Sequence, residues 1–185
     1  MLYDLPQLKQ GRNIIRISGH YTAERELEDV FLLGNFAVSI DRRIIREPEN
    51  LHFGDWCLQG YPHYAGNMVY CFEVPRAPEN KRIILRMGTY EGVLSELRVN
   101  GEKVDVLFGQ CKREADLTDF LVQESNLLEI EVCGTPRNLF GPFHQAYDGC
   151  SRISWEDFRT EGALHCKGYT LHPYGLTGQI SLRME

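Results

Sequence analysis

Leu97-Arg98-Val99-Asn100-Gly101-Glu102-Lys103-Val104 reads as two short strands joined by a two-residue turn. Asn-Gly is a strong local signal for such a hairpin, because both central residues of a type I′ turn need φ > 0. Further along, Asp116-Leu117-Thr118-Asp119-Phe120-Leu121 reads as a short capped turn, and Asn126-Leu127-Leu128-Glu129-Ile130-Glu131-Val132 as the strand it leads into. Leu128, Ile130 and Val132 fall on one face of that strand, Glu129 and Glu131 on the other. A tight hairpin and a strand that buries one face predict an antiparallel β-sandwich whose loops, rather than its core, would hold function.

Working outward, strand-like runs recur at residues 13–18, 30–33, 36–40, 68–74, 82–87, 93–99, 103–107, 127–132, 169–171 and 179–183. Most alternate or carry β-branched and aromatic side chains. Turn signals separate them, among them Pro75 to Asn80, Gly134 to Pro136, Gly141-Pro142 and Gly175 to Gly178. Helical periodicity is confined to short stretches at 23–28, 117–121 and 155–159. Many short strands and few helices predict an all-β sandwich or barrel. The long irregular stretch from Leu139 to Cys166 is expected to lie across one end of it.

With 185 residues the chain fits one domain, or one domain and a fragment of another, and it can bury a core without staples. A net charge of −6 argues against nucleic acid and against an anionic membrane surface as partners. No run approaches the roughly 18 apolar residues of a membrane span. Met1 to Pro6 lacks the pattern of a signal peptide, which leaves the compartment open, cytoplasmic or secreted, if the chain is a piece of a longer protein. The cysteines (Cys57, Cys71, Cys111, Cys133, Cys150 and Cys166) form no C-x-x-C pair, so free thiols are favoured over disulfides, and Cys71 and Cys133 are expected as small core residues.

An internal echo bears on domain organisation. Asp4-Leu5-Pro6-Gln7-Leu8, a polar turn, then Asn13-Ile14-Ile15-Arg16-Ile17 repeats the order of Asp116 to Ile130, where one residue is inserted. The second copy closes a domain. Residues 1–22 are therefore expected to be the end of a preceding similar domain or an added edge strand, and residues 23–185 the sandwich itself.

Residues 26–141 resemble the galactose-binding-domain-like jelly roll attached to bacterial glycoside hydrolases, in particular the sugar-binding type found in family 2. The residues that carry the resemblance are Leu33-Gly34-Asn35-Phe36, Gly54-Asp55-Trp56, Gly60-Tyr61-Pro62-His63-Tyr64-Ala65-Gly66-Asn67, Tyr70 and Phe72 before Val74-Pro75, Val99-Asn100-Gly101, and the Asp116 to Ile130 unit. Tyr169-Thr170-Leu171-His172-Pro173-Tyr174-Gly175-Leu176 resembles the closing segment of such domains. The resemblance implies a jelly roll from a larger bacterial carbohydrate-active enzyme. Such a domain binds sugar weakly or supports a neighbouring catalytic domain.

Sugar recognition needs an aromatic face for the C–H side of the ring and planar polar groups for its hydroxyls. The candidates are Trp56, Tyr61, His63, Tyr64 and Asn67 in one loop, Tyr90 and Glu91 after a strand, Gln110, and Arg137 and His144 around Phe140-Gly141-Pro142-Phe143. Trp56, Tyr64 and Tyr90 would stack; His63, Asn67, Glu91 and Arg137 would orient hydroxyls. Each has a packing alternative, strongest for Trp56. No carboxylate pair stands out for glycoside hydrolysis, and G-x-S-x-G and the phosphate loops are absent. The six histidines form neither H-x-H nor H-E-x-x-H, so no cofactor or transition metal is expected, and structural calcium lacks an Asp-rich loop. The expectation is a non-catalytic carbohydrate-binding accessory domain. The alternatives are a structural support for a catalytic neighbour and a small metal-dependent jelly-roll enzyme.

Overall fold

A computed structural model of the chain describes residues 4–5, 8–24, 30–109, 111–146 and 153–185. It divides into two compact units, Met1–Gly34 and Asn35–Glu185. All the strands of the described residues belong to the second unit.

In chain order they are β1 (Ala37–Val38), β2 (Ile44–Ile45), β3 (Asn67–Pro75), β4 (Ile83–Arg86), β5 (Tyr90–Glu91), β6 (Ser95–Val99), β7 (Glu102–Leu107), β8 (Glu114–Asp116), β9 (Ser125–Cys133), β10 (Gly175–Leu176) and β11 (Ser181–Met184). Every pairing is antiparallel. A four-stranded sheet has the order β3-β9-β6-β7, a three-stranded sheet the order β11-β4-β8, and β1-β2 and β5-β10 form two-stranded ribbons.

The two larger sheets share one core. Met68, Tyr70 and Val74 of β3, Leu128, Ile130 and Val132 of β9, Leu97 and Val99 of β6 and Leu107 of β7 meet Ile83 and Leu85 of β4 and Ala115 of β8. Each fully buried Leu or Ile contributes about 1.5–3 kcal/mol. Met87, Leu117, Leu121, Trp56, Tyr174 and Leu176 join the same cluster. The protein is therefore an all-β antiparallel sandwich.

The turn at Asn100-Gly101 has φ of 53° and 80°, joins Val99 to Glu102 in register, and makes the two-residue hairpin of β6 and β7. In β9 the alternation holds, with Leu128, Ile130 and Val132 inside and Glu129 and Glu131 on the outer face. The Asp116 turn forms as read: the Asp116 carboxylate accepts from the backbone N–H of Thr118, and Leu121 N–H donates back to Leu117 O.

Several expectations are corrected. Residues 13–18, 30–33 and 169–171 join no strand ladder. Of the short helices, 117–121 is a single hydrogen-bonded turn, 155–159 contains the 3₁₀ turn Trp155–Asp157, and 23–28 lies mostly outside the described residues. Cys71 is exposed, because Tyr70 and Phe72 take the inward positions of β3 and the period of two turns Cys71 out; Cys133 is half-buried. The five described cysteines are free thiols, and Cys150 lies outside the described residues. The short strands β2, β5 and β8 carry no sequence period long enough to read.

Candidate functional site

Strand β3 begins at the end of the sandwich where β9 finishes, since Asn67 pairs with Cys133. The loop before β3 and the loop after β9 therefore meet there. The first contains the 3₁₀ turn Trp56–Gln59, capped by Asp55, whose carboxylate accepts from Cys57 N–H at 2.9 Å and Tyr174 N–H at 3.0 Å. The second contains the short helix α1 (Arg137–Phe140). His63 joins the two loops. Its Nδ1 lies 2.8 Å from Asn138 O, and its ring stands edge-on to Phe143 and Tyr169.

This end is a packed aromatic plug. Trp56 is 0% exposed, stacked on Tyr174 at 5.5 Å and edge-on to Tyr64 at 6.2 Å, so the expected stacking platform is a core residue. Tyr61 is half-buried and donates its hydroxyl to Glu47; burial, then that carboxylate, pushes its pKa up to about 12. Tyr64 keeps one exposed flank but donates to Asn67 O. Asn67 donates to Glu131 on the outer face of the sheet. Tyr90, expected on an open loop, lies in β5; its hydroxyl donates to Leu107 O at 2.9 Å and accepts from Gly109 N–H at 2.6 Å. Glu91 is exposed on β5, and Gln110 lies outside the described residues. His144 directs Nδ1 at the carbonyls of Cys166 and Gly168 and packs against His165 and Tyr169. Arg42 lies 5.1 Å over the Tyr169 ring, a guanidinium on an aromatic face.

Arg137 has a different use. Its guanidinium donates to Gln145 Oε1 at 2.6 Å, and Gln145 Nε2 donates to Asp157 Oδ1 at 3.2 Å. Both Gln145 and Asp157 are buried. The other Asp157 oxygen accepts from Ser154 N–H at 2.7 Å and from its hydroxyl, closing a capping box around the 3₁₀ turn Trp155–Asp157. That chain of bonds fixes a turn which presents Trp155, 83% exposed, beside Phe158, 56% exposed. Trp155, Glu156, Phe158, Arg159 and Glu161 line an open groove of about 460 Å³.

The groove supplies what the aromatic plug does not. It has two accessible aromatic faces, two carboxylates and a guanidinium, all on one short segment whose backbone is tied down. The sequence predicts a short helix over 155–159 and marks no ligand contact on it. The signal lies in Ser154-Trp155-Glu156-Asp157-Phe158-Arg159, where the capping pair Ser154 and Asp157 encloses Trp155 and a second aromatic, Phe158, follows at i+3 among charged residues. Among the described residues no three His, Cys, Asp or Glu converge to hold a metal ion, and no helix is long and apolar enough to cross a membrane.

No family model and no curated protein matches the chain. Among solved structures it is similar to a rhamnosidase from Novosphingobium sp. PP1Y, with 25% identity over 66% of this chain and 11% of that one and a TM-score of 0.46. A β-D-glucuronidase from Dictyoglomus thermophilum has 24% identity over 76% of this chain and 25% of its own, with a TM-score of 0.39. A glycosyl hydrolase family 2 member from Bacteroides cellulosilyticus has 17% identity over 78% and 17%, with a TM-score of 0.42. The chain spans between 11% and 25% of the length of these proteins.

Proposed function

We propose that the chain is a non-catalytic, galactose-binding-like jelly-roll module of a larger glycoside hydrolase, and that it binds carbohydrate through the groove beside Trp155. The observation that carries this reading is the indole of Trp155, 83% exposed on a turn locked by a buried carboxylate. An open indole on a pre-ordered turn stacks on the apolar face of a pyranose at little cost in conformational freedom. Glu156, Arg159 and Glu161 line the same groove and suit a ring's hydroxyls as acceptors and donors. The resemblance of residues 26–141 to sugar-binding jelly rolls supports the same class of ligand. Arg137, one of the candidate contacts, acts behind this surface as a positioning residue.

A second reading rests on a specific observation. Phe140, Ile153 and Leu164, on the same long connection as Trp155, are also exposed, and such a surface fits docking onto a catalytic neighbour. Titration of the chain with a panel of mono- and oligosaccharides separates the two. The chain has two tryptophans, and Trp56 is buried, so a ligand-induced change in emission reports on Trp155. Saturable binding with a Kd of about 1 mM or tighter, or roughly −4 kcal/mol, supports the carbohydrate module. No binding by any sugar favours the support domain.

A further inference from the structure

The loop between β3 and β4 and the turn between β8 and β9 meet at the end of the sandwich opposite the aromatic plug, because β3 leaves at Pro75 where β9 enters at Ser125. Hydrogen bonds tie the two segments together. Ala77 N–H donates to Leu121 O at 3.0 Å, and Arg76 N–H donates to Glu124 O at 3.4 Å. Leu117 N–H donates to Ile83 O at 2.9 Å, and Ile83 N–H donates to the Thr118 hydroxyl at 2.9 Å. Within the loop, Lys81 N–H donates to Pro78 O at 3.2 Å, around Asn80 at a φ of 58°. Asparagine adopts that left-handed conformation more readily than most residues. The backbone on both sides is therefore fixed before any ligand arrives.

Between the two segments lies an open groove of about 350 Å³, lined wholly by residues of the second unit. Ala77, Leu121 and Val122 give it an apolar floor. Its charged lining residues are Arg76, Lys81 and Arg82, and no Asp or Glu lines it, although the chain carries a net charge of −6. Glu79 and Asp119 neighbour lining residues in sequence and take no part in the lining. Arg82 is already engaged: it donates to Asp116 Oδ2 at 2.8 Å and lies 3.6 Å from Glu185. Arg76 and Lys81 are not engaged. Among the described residues, neither of their side chains has an ion pair or a hydrogen bond. Two uncompensated cations beside an apolar floor complement an anion that carries an apolar body.

We propose that this groove binds a small organic carboxylate, with Arg76 and Lys81 on the carboxylate and Leu121 and Val122 against its apolar body. The planar guanidinium of Arg76 matches a carboxylate in two parallel hydrogen bonds, and the ammonium of Lys81 adds a second charge. The volume sits at the lower end of the roughly 300–1,000 Å³ of small-molecule sites, which sets the size of the ligand. The groove is open, so the affinity is modest, with a Kd of about 1 mM. It is independent of the carbohydrate reading, because the Trp155 turn is held from the other end of the sandwich through Arg137 and Gln145.

Titration of the whole chain with sodium hexanoate, followed by the ¹H–¹⁵N shifts of the Ala77, Lys81 and Val122 amides, tests this. Hexanamide, the neutral counterpart, and inorganic phosphate, an anion without an apolar body, are titrated alongside. Saturable shifts are expected with hexanoate, and each of the other two should bind at least about tenfold more weakly. The double variant Arg76→Gln, Lys81→Gln should lose about tenfold or more in hexanoate affinity while its unfolding midpoint stays at that of the parent, since both side chains are exposed and unpaired. Raising the salt from about 0.02 to 0.3 M should weaken hexanoate binding severalfold in the parent. The absence of hexanoate-dependent shifts at these amides would overturn the proposal. So would equal binding of hexanamide, which would make the groove merely apolar, equal binding of phosphate, which would make it indifferent to the ligand's body, or an unchanged affinity in the double variant.

Discussion

Asn100 Nδ2 donates to Asn126 Oδ1 at 2.9 Å, so the tip of the β6-β7 hairpin is bonded to the residue that begins the inward face of β9. Asn100 N–H also donates to Leu127 O, and Leu127 N–H donates to Asn100 Oδ1. The two most legible stretches of the sequence are thus in direct contact. Asn126 is buried with all of its polar atoms bonded, so Asn126→Ala should cost about 2–4 kcal/mol, because it strands partners on three chain segments. Urea unfolding monitored by circular dichroism reads this as a lower midpoint at unchanged slope.

How much could be read in advance follows from what is local. Positive φ at Asn100 and Gly101 is a property of those two residues, and the alternation of β9 records two faces in different surroundings. Residues 13–18 show the limit: periodicity says which face a strand would bury and is silent on whether neighbouring strands are present. The two tryptophans show it again. Trp56 and Trp155 both follow capping residues in 3₁₀ turns, and what separates them is Tyr174, far along the chain, which stacks on Trp56. Exposure of a ring is decided by such distant partners, so the sequence pointed to the buried indole and passed over the open one.

The Cys57 thiol should be the slowest of the described cysteines to react. Burial, then the neighbouring Asp55 carboxylate, pushes its pKa up to about 12, which keeps it protonated at neutral pH. Cys71 and Cys111 are exposed. Timed alkylation at pH 8 read by mass spectrometry should label those two first, and Cys57 only under denaturing conditions.

Asp116 makes a small contribution to stability that is lost in acid. Hydrogen bonds from Thr118, then from Arg82, hold its carboxyl down from 3.8 to about 2. The folded pKa lies below the unfolded one, so the contribution is complete above about 4 and is lost as pH falls from there through 2. The group is on the surface, so solvent screens the effect and it is small. Asp116→Asn should lower the melting temperature slightly at pH 6 and narrow its difference from the parent at pH 2.5. A constant difference at both pH values would contradict this role.

A carbohydrate face at Trp155, separate from the aromatic plug around Trp56, is tested most directly by calorimetric titration of three proteins with the best-binding oligosaccharide. These are the parent chain, Trp155→Ala and Arg137→Ala, each with its unfolding curve recorded. Saturable binding to the parent is expected. Trp155→Ala should show at least about tenfold weaker affinity with stability within about 0.5 kcal/mol of the parent. Arg137→Ala should weaken binding less, because it loosens the turn from behind. Unchanged affinity in Trp155→Ala, with the parent binding sugar, would place the site elsewhere and contradict the account.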